Sequence, residues 1–201
     1  KGDVLLDLEN HNTKFKIPKT IVFNVKEWKK NKKSIYKNVR KLLNNKVAIR
    51  SSSGNEDLQN YSGAGKYLSF LNVNTFYEKN FYNSVNRIIR SYVKKNKRSD
   101  KIIVQNMVTM VKSSGVAFTK DLENGANYYV INYDDVTGKT NTVTSGQGHY
   151  SNRILYIYKK FDNQIKSKRF KKLIDCIKDL EKKIGLDDLD IEFAINNKLE
   201  I

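Results

Sequence analysis

KIIVQNMVTMVKSSGVAFTKDLENGANYYVINY, residues 101–133, holds three strand signals in succession with no helical pattern between them. Residues 102–105, 115–119 and 128–133 are short, rich in β-branched or aromatic side chains, and bounded by Asn, Lys, Ser or Gly. Strands that follow one another without a helix do not build the βαβ units of a doubly wound sheet. The fold class read from this stretch is therefore α+β.

Working outward, Val4, Leu5 and Leu8 form a short helical stripe. Residues 20–25 (TIVFNV) read as a strand set off by Pro18. Trp28, Ile35, Val39, Leu42 and Leu43 recur at helical spacing over 26–45, with Ser34 as a cap for the second part. Residues 46–50 (KVAIR) read as a strand that enters a polar loop at Ser51, Ser52, Ser53 and Gly54. A glycine-containing loop, 61–65 (YSGAG), precedes a strand over 66–71. Phe81, Val85, Ile88, Ile89 and Tyr92 mark a helix ended by the basic run 94–98. Downstream, 154–158 reads as a strand, and Gly125 and Gly138 punctuate turns. Ser167 caps a helix with the stripe Phe170, Leu173, Ile174, Ile177, Leu180 and Ile184, and Gly185 lies past its end. Residues 190–195 (DIEFAI) form the last strand, with a turn at Asn196 and Asn197.

The 201 residues fit one domain or two small lobes. Hydrophobic residues at 39% suffice for a core, and no run approaches the ~20 apolar residues of a membrane span. One cysteine, Cys176, excludes an internal disulfide framework and a Cys-rich zinc site; the expected compartment is a reducing cytoplasm. The net charge is +17, from 38 basic and 21 acidic residues. Lysine supplies 31 of the 38, beside 24 asparagines, as an AT-rich bacterial genome would encode. The charge is uneven: residues 1–100 carry a net +14 and residues 101–201 a net +3. A basic first lobe (1–100) and a near-neutral second lobe (101–201), divided at the run 94–100, point to an anionic ligand. Nucleotide phosphate and nucleic acid are both open on charge alone. The chain starts at Lys1 without an initiator Met and stops at Ile201 in the second arm of a hairpin. It reads as an excised piece.

Three constellations carry chemistry. Arg50 at a strand end, followed by Ser51–Ser53 and then 62–65 (SGAG), offers a guanidinium fork and closely approachable backbone N–H groups to phosphate oxygens. A surface arginine beside two ordinary turns is the alternative. Strand alternation puts Asp190, Glu192 and Ala194 on one face, opposite Ile191, Phe193 and Ile195. A carboxylate there suits Mg²⁺, which takes oxygen ligands; the alternative is an exposed acidic face. Gln105, Asn106 and Met107 end an apolar strand at the lobe boundary, where they could meet an adenine edge or simply close a buried strand. His11 and His149 read as surface histidines, and Cys176 as a small buried hydrophobe.

Taken together, these segments resemble the nucleotide-binding domain of phosphoenolpyruvate synthase and pyruvate phosphate dikinase. The matching stretches, in order, are VAIRSS (47–52), EDL (56–58), SGAG (62–65), SFLNV (69–73), IVQNMV (103–108), SGVAFT (114–119) and DIEFA (190–194). The resemblance implies an ATP-grasp fold, two α+β lobes gripping MgATP in the cleft between them. It implies an ATP-dependent dikinase-type phosphotransferase that passes a pyrophosphoryl group to a histidine on a separate domain, giving AMP, phosphate and a phosphorylated acceptor. Pyruvate is the default acceptor. A divergent branch that phosphorylates the amide of L-glutamine for capsule phosphoramidate synthesis is the alternative, because residues 128–148 differ from the usual segment. By the same resemblance, Arg50 contacts the ATP phosphates, and Gly65 and Ser69 belong to the loop over them. Gln105, Asn106 and Met107 surround adenine, Glu192 binds metal and nucleotide, and Lys1 corresponds to an N-terminal phosphate-binding lysine. Neither histidine matches the phosphorylated one. The family's Gln and Arg about a dozen residues after the glutamate fall beyond Ile201, so the second lobe reads as truncated and the fragment as inactive alone. A basic nucleic-acid-binding module is the reading of another class.

Overall fold

Asn24 decides where the first strand stops. Its side chain accepts from the Glu27 N–H (2.8 Å) while the Glu27 carboxylate accepts from the Asn24 N–H (2.8 Å). This capping box satisfies two otherwise orphaned donors and starts a helix directly at a strand end. In the computed structural model, which describes residues 2–11, 13–52, 68–92, 100–140, 143 and 153–201, that junction joins β1 (Thr20–Asn24) to α2 (Val25–Leu42). The chain divides into two compact units, residues 1–11 with 17–107 and residues 12–16 with 108–201.

The first unit continues from α1 (Gly2–Glu9), β1 and α2 through β2 (Lys46–Ser52), β3 (Ser69–Asn74), α3 (Glu78–Ser91) and β4 (Lys101–Asn106). Its sheet has the order β1-β4-β2-β3, with every neighbour antiparallel. One face carries Phe23, Val47, Ile49, Ile102 and Val104, which pack with Trp28, Val39, Phe81, Val85 and Ile88 of the two long helices. Burial of side chains this size contributes about 1.5–3 kcal/mol each, so this layer outweighs the mutual repulsion of like charges on α2's Lys-rich outer face. Helix α2 is interrupted at Asn31 (φ −130°), and Asn24, not Ser34, supplies its cap. Ser51 and Ser52 also depart from expectation. They extend β2, paired with Ile102 and Lys101, and are buried rather than in a loop. Helix α1 lies against the other face: a side chain at Gly2 would sit 3.1 Å from Val22 Cγ1 and 3.4 Å from Ile103 Cγ1.

The second unit contains β5 (Val111–Phe118), β6 (Tyr128–Asp134), β7 (Arg153–Tyr158), a 3-10 helix (Lys159–Gln164), α4 (Lys168–Ile184) and β8 (Asp190–Asn196). The antiparallel order is β7-β6-β5-β8. The three strands that follow one another from residue 101 are present, the first in the sheet of the first unit and the other two paired in this one. The α4 stripe Phe170, Leu173, Ile174 and Ile177 covers Ala117, Ile131, Phe193 and Ile195. Gly185 ends α4 with φ +75°, a left-handed conformation that a side chain would strain, and its N–H donates to Glu181 O (2.8 Å). Ser167 occupies the N-cap position but its side chain makes no capping bond. Residues 13–16 lie along this unit: Lys14 N–H donates to Asp179 Oδ2 (3.1 Å) and Lys16 N–H to Ile201 O (2.6 Å). Among the described residues no helix is long and apolar enough to cross a membrane.

Cys176 lies beneath that segment, 3% exposed, with its thiol directed at Lys14 O (3.2 Å). Burial raises its pKa from 9.0 to about 11. In the first unit, burial and the neighbouring Glu78 carboxylate raise the Tyr82 hydroxyl from 10.0 to about 12. Both groups stay neutral longer in the folded chain than in the unfolded one. Their contribution is therefore complete below pH 9 and is lost as pH rises through 11 and 12. Thermal denaturation should give a midpoint flat from pH 7 to 9 and falling above it. In Cys176→Ala the fall between pH 9 and 11 should be shallower; an unchanged slope would refute the assignment.

Candidate functional site

The face of the first sheet turned away from α2 and α3 brings several sequence-predicted residues together. Opposite residues of an antiparallel pair share a face. Ser69 pairs with Arg50, Arg50 with Ile103, and Ile103 with Val22. Ala48 pairs with Gln105 one step further along, and Gln105 with Thr20. Arg50, Ser69 and Gln105 thus form one patch on three adjacent strands. Arg50 is half-buried and Ser69 exposed, so a guanidinium stands beside the hydroxyl that opens β3, two residues before β2 ends. The Gln105 amide is fixed: Nε2 donates to Thr20 Oγ1 (2.9 Å) and Pro18 O (3.3 Å). Both amide hydrogens are thereby used, which leaves its oxygen to act as an acceptor.

Asn106 points the other way. It pairs with Val47 on the core side, and its Oδ1 accepts from Asn44 N–H (2.7 Å), tying the α2–β2 loop to the end of β4. Its backbone N–H donates to Lys19 O (3.0 Å), and Met107 N–H donates to Lys46 O (3.2 Å). The Asn106 side chain and these two amides are therefore engaged within the first unit. Lys1, Gly65 and His149 lie outside the described residues, as does all of 61–65. His11 is exposed, its Nδ1 2.7 Å from Asp7 O.

On the second unit, Glu192 lies on the face turned away from α4. Its neighbours Phe193 and Ile195 face the α4 core, and Glu192 is exposed. It pairs with Val116, and Val116 with Asn132. Asp190, two residues earlier, shares the face, so β8 presents two carboxylates in one row; the i, i+2 alternation already carried that signal. Oxygen donors of this kind fit Mg²⁺, which takes one or two protein carboxylates and completes its shell from water and substrate phosphates. Among the described residues no cluster of three or more His, Cys, Asp or Glu could hold a metal by itself.

The sequence reading missed what holds β8 in place. Thr119, fully buried at the end of β5, exchanges three hydrogen bonds with the loop before β8. It also missed a half-buried cluster on the α4 side. There Tyr129 OH donates to Glu181 Oε2 (2.8 Å), Glu181 Oε1 pairs with Lys159 (2.6 Å), and burial drives the Tyr129 pKa upward. Neither arrangement has a local sequence signal, because the partners lie 22 to 70 positions apart.

Residues 12–149 match the family described as pyruvate phosphate dikinase, AMP/ATP-binding domain. The match covers more than half of the chain, and the chain belongs to this family. It is an ATP/AMP-binding domain of the phosphoenolpyruvate synthase and pyruvate phosphate dikinase type, from a family of kinase-type phosphotransferases, with ATP as its nucleotide. Arg50, Ser69, Gln105, Asn106 and Met107 fall inside the matched span; Lys1 and Glu192 fall outside it. No curated protein matches the chain significantly.

Proposed function

We propose that the chain is an ATP-grasp domain that binds MgATP for a dikinase-type phosphoryl transfer, its two lobes lying before and after the boundary expected near residue 100, with β4 (Lys101–Asn106) paired into the first. The observation that carries this reading is the Ser69–Arg50–Gln105 patch within a chain of this family. Arg50 takes the phosphates as a bidentate donor, with Ser69, Gly65 and Lys1 adding hydroxyl, backbone and ammonium donors. Gln105 takes adenine through its acceptor oxygen and Met107 packs on the ring, while Asn106, its side chain and N–H engaged within the unit, holds the end of β4 in place for them. Glu192, with Asp190 beside it on β8, holds Mg²⁺, whose positive charge offsets charge developing on the transferred group. The reaction breaks the bond between the α- and β-phosphates and forms an N–P bond to a histidine on a separate domain, releasing AMP. Water then removes the outer phosphate, and the remaining phosphoryl group passes to the acceptor in a domain of the same full-length enzyme. The soluble cytoplasm is the proposed setting.

Pyruvate is the first acceptor. L-glutamine, through its amide nitrogen, is the second, favoured by the departure of residues 128–148 from the pyruvate enzymes' segment. The test uses the full-length protein. MgATP at about 100 times its dissociation constant should stabilise by ~2.7 kcal/mol in a thermal scan. Arg50→Ala and Glu192→Ala should each remove about 1.5–3 kcal/mol of binding, the value of hydrogen bonds to charged groups. Stabilisation untouched by both substitutions refutes the site. Polynucleotide binding without any response to MgATP refutes the function. AMP release with pyruvate against L-glutamine identifies the acceptor.

A further inference from the structure

We propose that Thr119 is a positioning residue that sets the register of β8 and so the face on which Glu192 stands. The inference rests on the reading of Glu192 as the carboxylate for MgATP.

Strand β8 has β5 as its one neighbour among the described strands. Its ladder pairs Phe118 with Asp190 and Val116 with Glu192, and shifts register at the far end, between Val111 and Ser113. A slip of one residue would turn Glu192 toward α4 and bring Phe193 and Ile195 out. What pins the ladder lies one residue beyond its first pair. Thr119 N–H donates to Leu189 O (3.0 Å), Thr119 Oγ1 accepts from Leu189 N–H (2.7 Å), and the same hydroxyl donates to Asp187 O (2.7 Å). One fully buried side chain thus satisfies a donor and an acceptor of the loop that launches β8. Only a group that both donates and accepts can do this; valine has the same shape and can do neither. The adjacent Lys120–Asp187 pair (2.9 Å) holds the same loop from the solvent side, where an ion pair contributes little.

The test is made on the full-length protein with two readouts: hydrogen exchange of backbone amides 189–193 without nucleotide, and ATP affinity with and without Mg²⁺. Thr119→Val should speed exchange at 189–193 tenfold or more, leaving amides of β6 and β7 unchanged. It should weaken MgATP about tenfold and leave metal-free ATP unchanged. Thr119→Ser should restore both, and Lys120→Ala should alter neither. Should Thr119→Val fail to fold, Thr119→Cys, with its weaker donor and acceptor, should show the same pattern at lower amplitude. Exchange at 189–193 unchanged in the variant overturns the proposal. So does faster exchange with wild-type MgATP affinity, which would leave Thr119 a stabilising residue alone. MgATP affinity unaffected by Glu192→Ala overturns instead the reading on which the proposal rests, whatever the exchange shows.

Discussion

Gly115→Ala is expected to cost at least about 3 kcal/mol, a large share of the stability of a unit this size. An added Cβ would stand 1.9 Å from Asn132 O and 2.9 Å from both Asn132 C and Tyr133 Cα. All three are backbone atoms of β6, so no side-chain rotation relieves the contact. Gly115 pairs with Tyr133 on one side and Phe193 on the other. The displacement therefore opens the middle of the sheet, disturbing the Val116 pairings that join the rows of Asn132 and Glu192. At roughly 4–8 °C per kcal/mol for a unit of about 100 residues, the midpoint should fall by well over 10 °C. Urea unfolding followed by far-UV circular dichroism measures the change. A loss below ~1 kcal/mol would mean that β6 yields freely, contrary to the pairing described.

In the first unit the largest effect is expected for Trp28→Ala, about 3–5 kcal/mol. Trp28 is 2% exposed. It stacks on Phe23 (centroids 5.6 Å apart) and meets Phe81 and Tyr82 edge-on at 6.1 and 5.2 Å. Its indole N–H donates to Asn86 Oδ1 (3.0 Å), so one side chain joins β1, α2 and α3. Truncation leaves a cavity among aromatic neighbours and removes the partner of Asn86. Trp28→Phe should recover most of the packing and none of the hydrogen bond, and so fall between alanine and the native residue. Equal losses for Phe and Ala would place the energy in the Asn86 bond instead of in the aromatic cluster. Chemical denaturation of the two variants decides between them.

These two residues also show how much of the molecule was legible beforehand. Trp28 begins a helical stripe, and its burial follows from spacing alone. Gly115 stands in SGVAFT, a matching stretch, yet nothing local says that a neighbouring carbonyl comes too close for a Cβ. The same division runs through the site. The strands carrying Arg50 and Gln105 were visible as apolar runs closing in a polar group, though β2 continues two residues past Arg50, and the Asp190–Glu192 face was visible as plain alternation. Invisible were the adjacency of Ser69 to Arg50, the turning of Asn106 to the core side, and the loss of Ser51 and Ser52 from the expected loop to β2.

The amino-acid sequence by itself determined the α+β class, the apolar stripes of α2 (apart from Leu42, which is exposed), α3 and α4, the left-handed stop at Gly185, the burial of Cys176 and the family. Each follows from periodicity, local backbone chemistry or a set of ordered motifs, all properties of residues near one another in the chain. The tertiary structure alone decided which residues share a face, that β4 joins β1 to β2 inside the first sheet, and that Thr119 clasps the loop before β8. Strand register and buried hydrogen bonds join residues tens of positions apart, and no local pattern encodes such a pairing before the two sheets form.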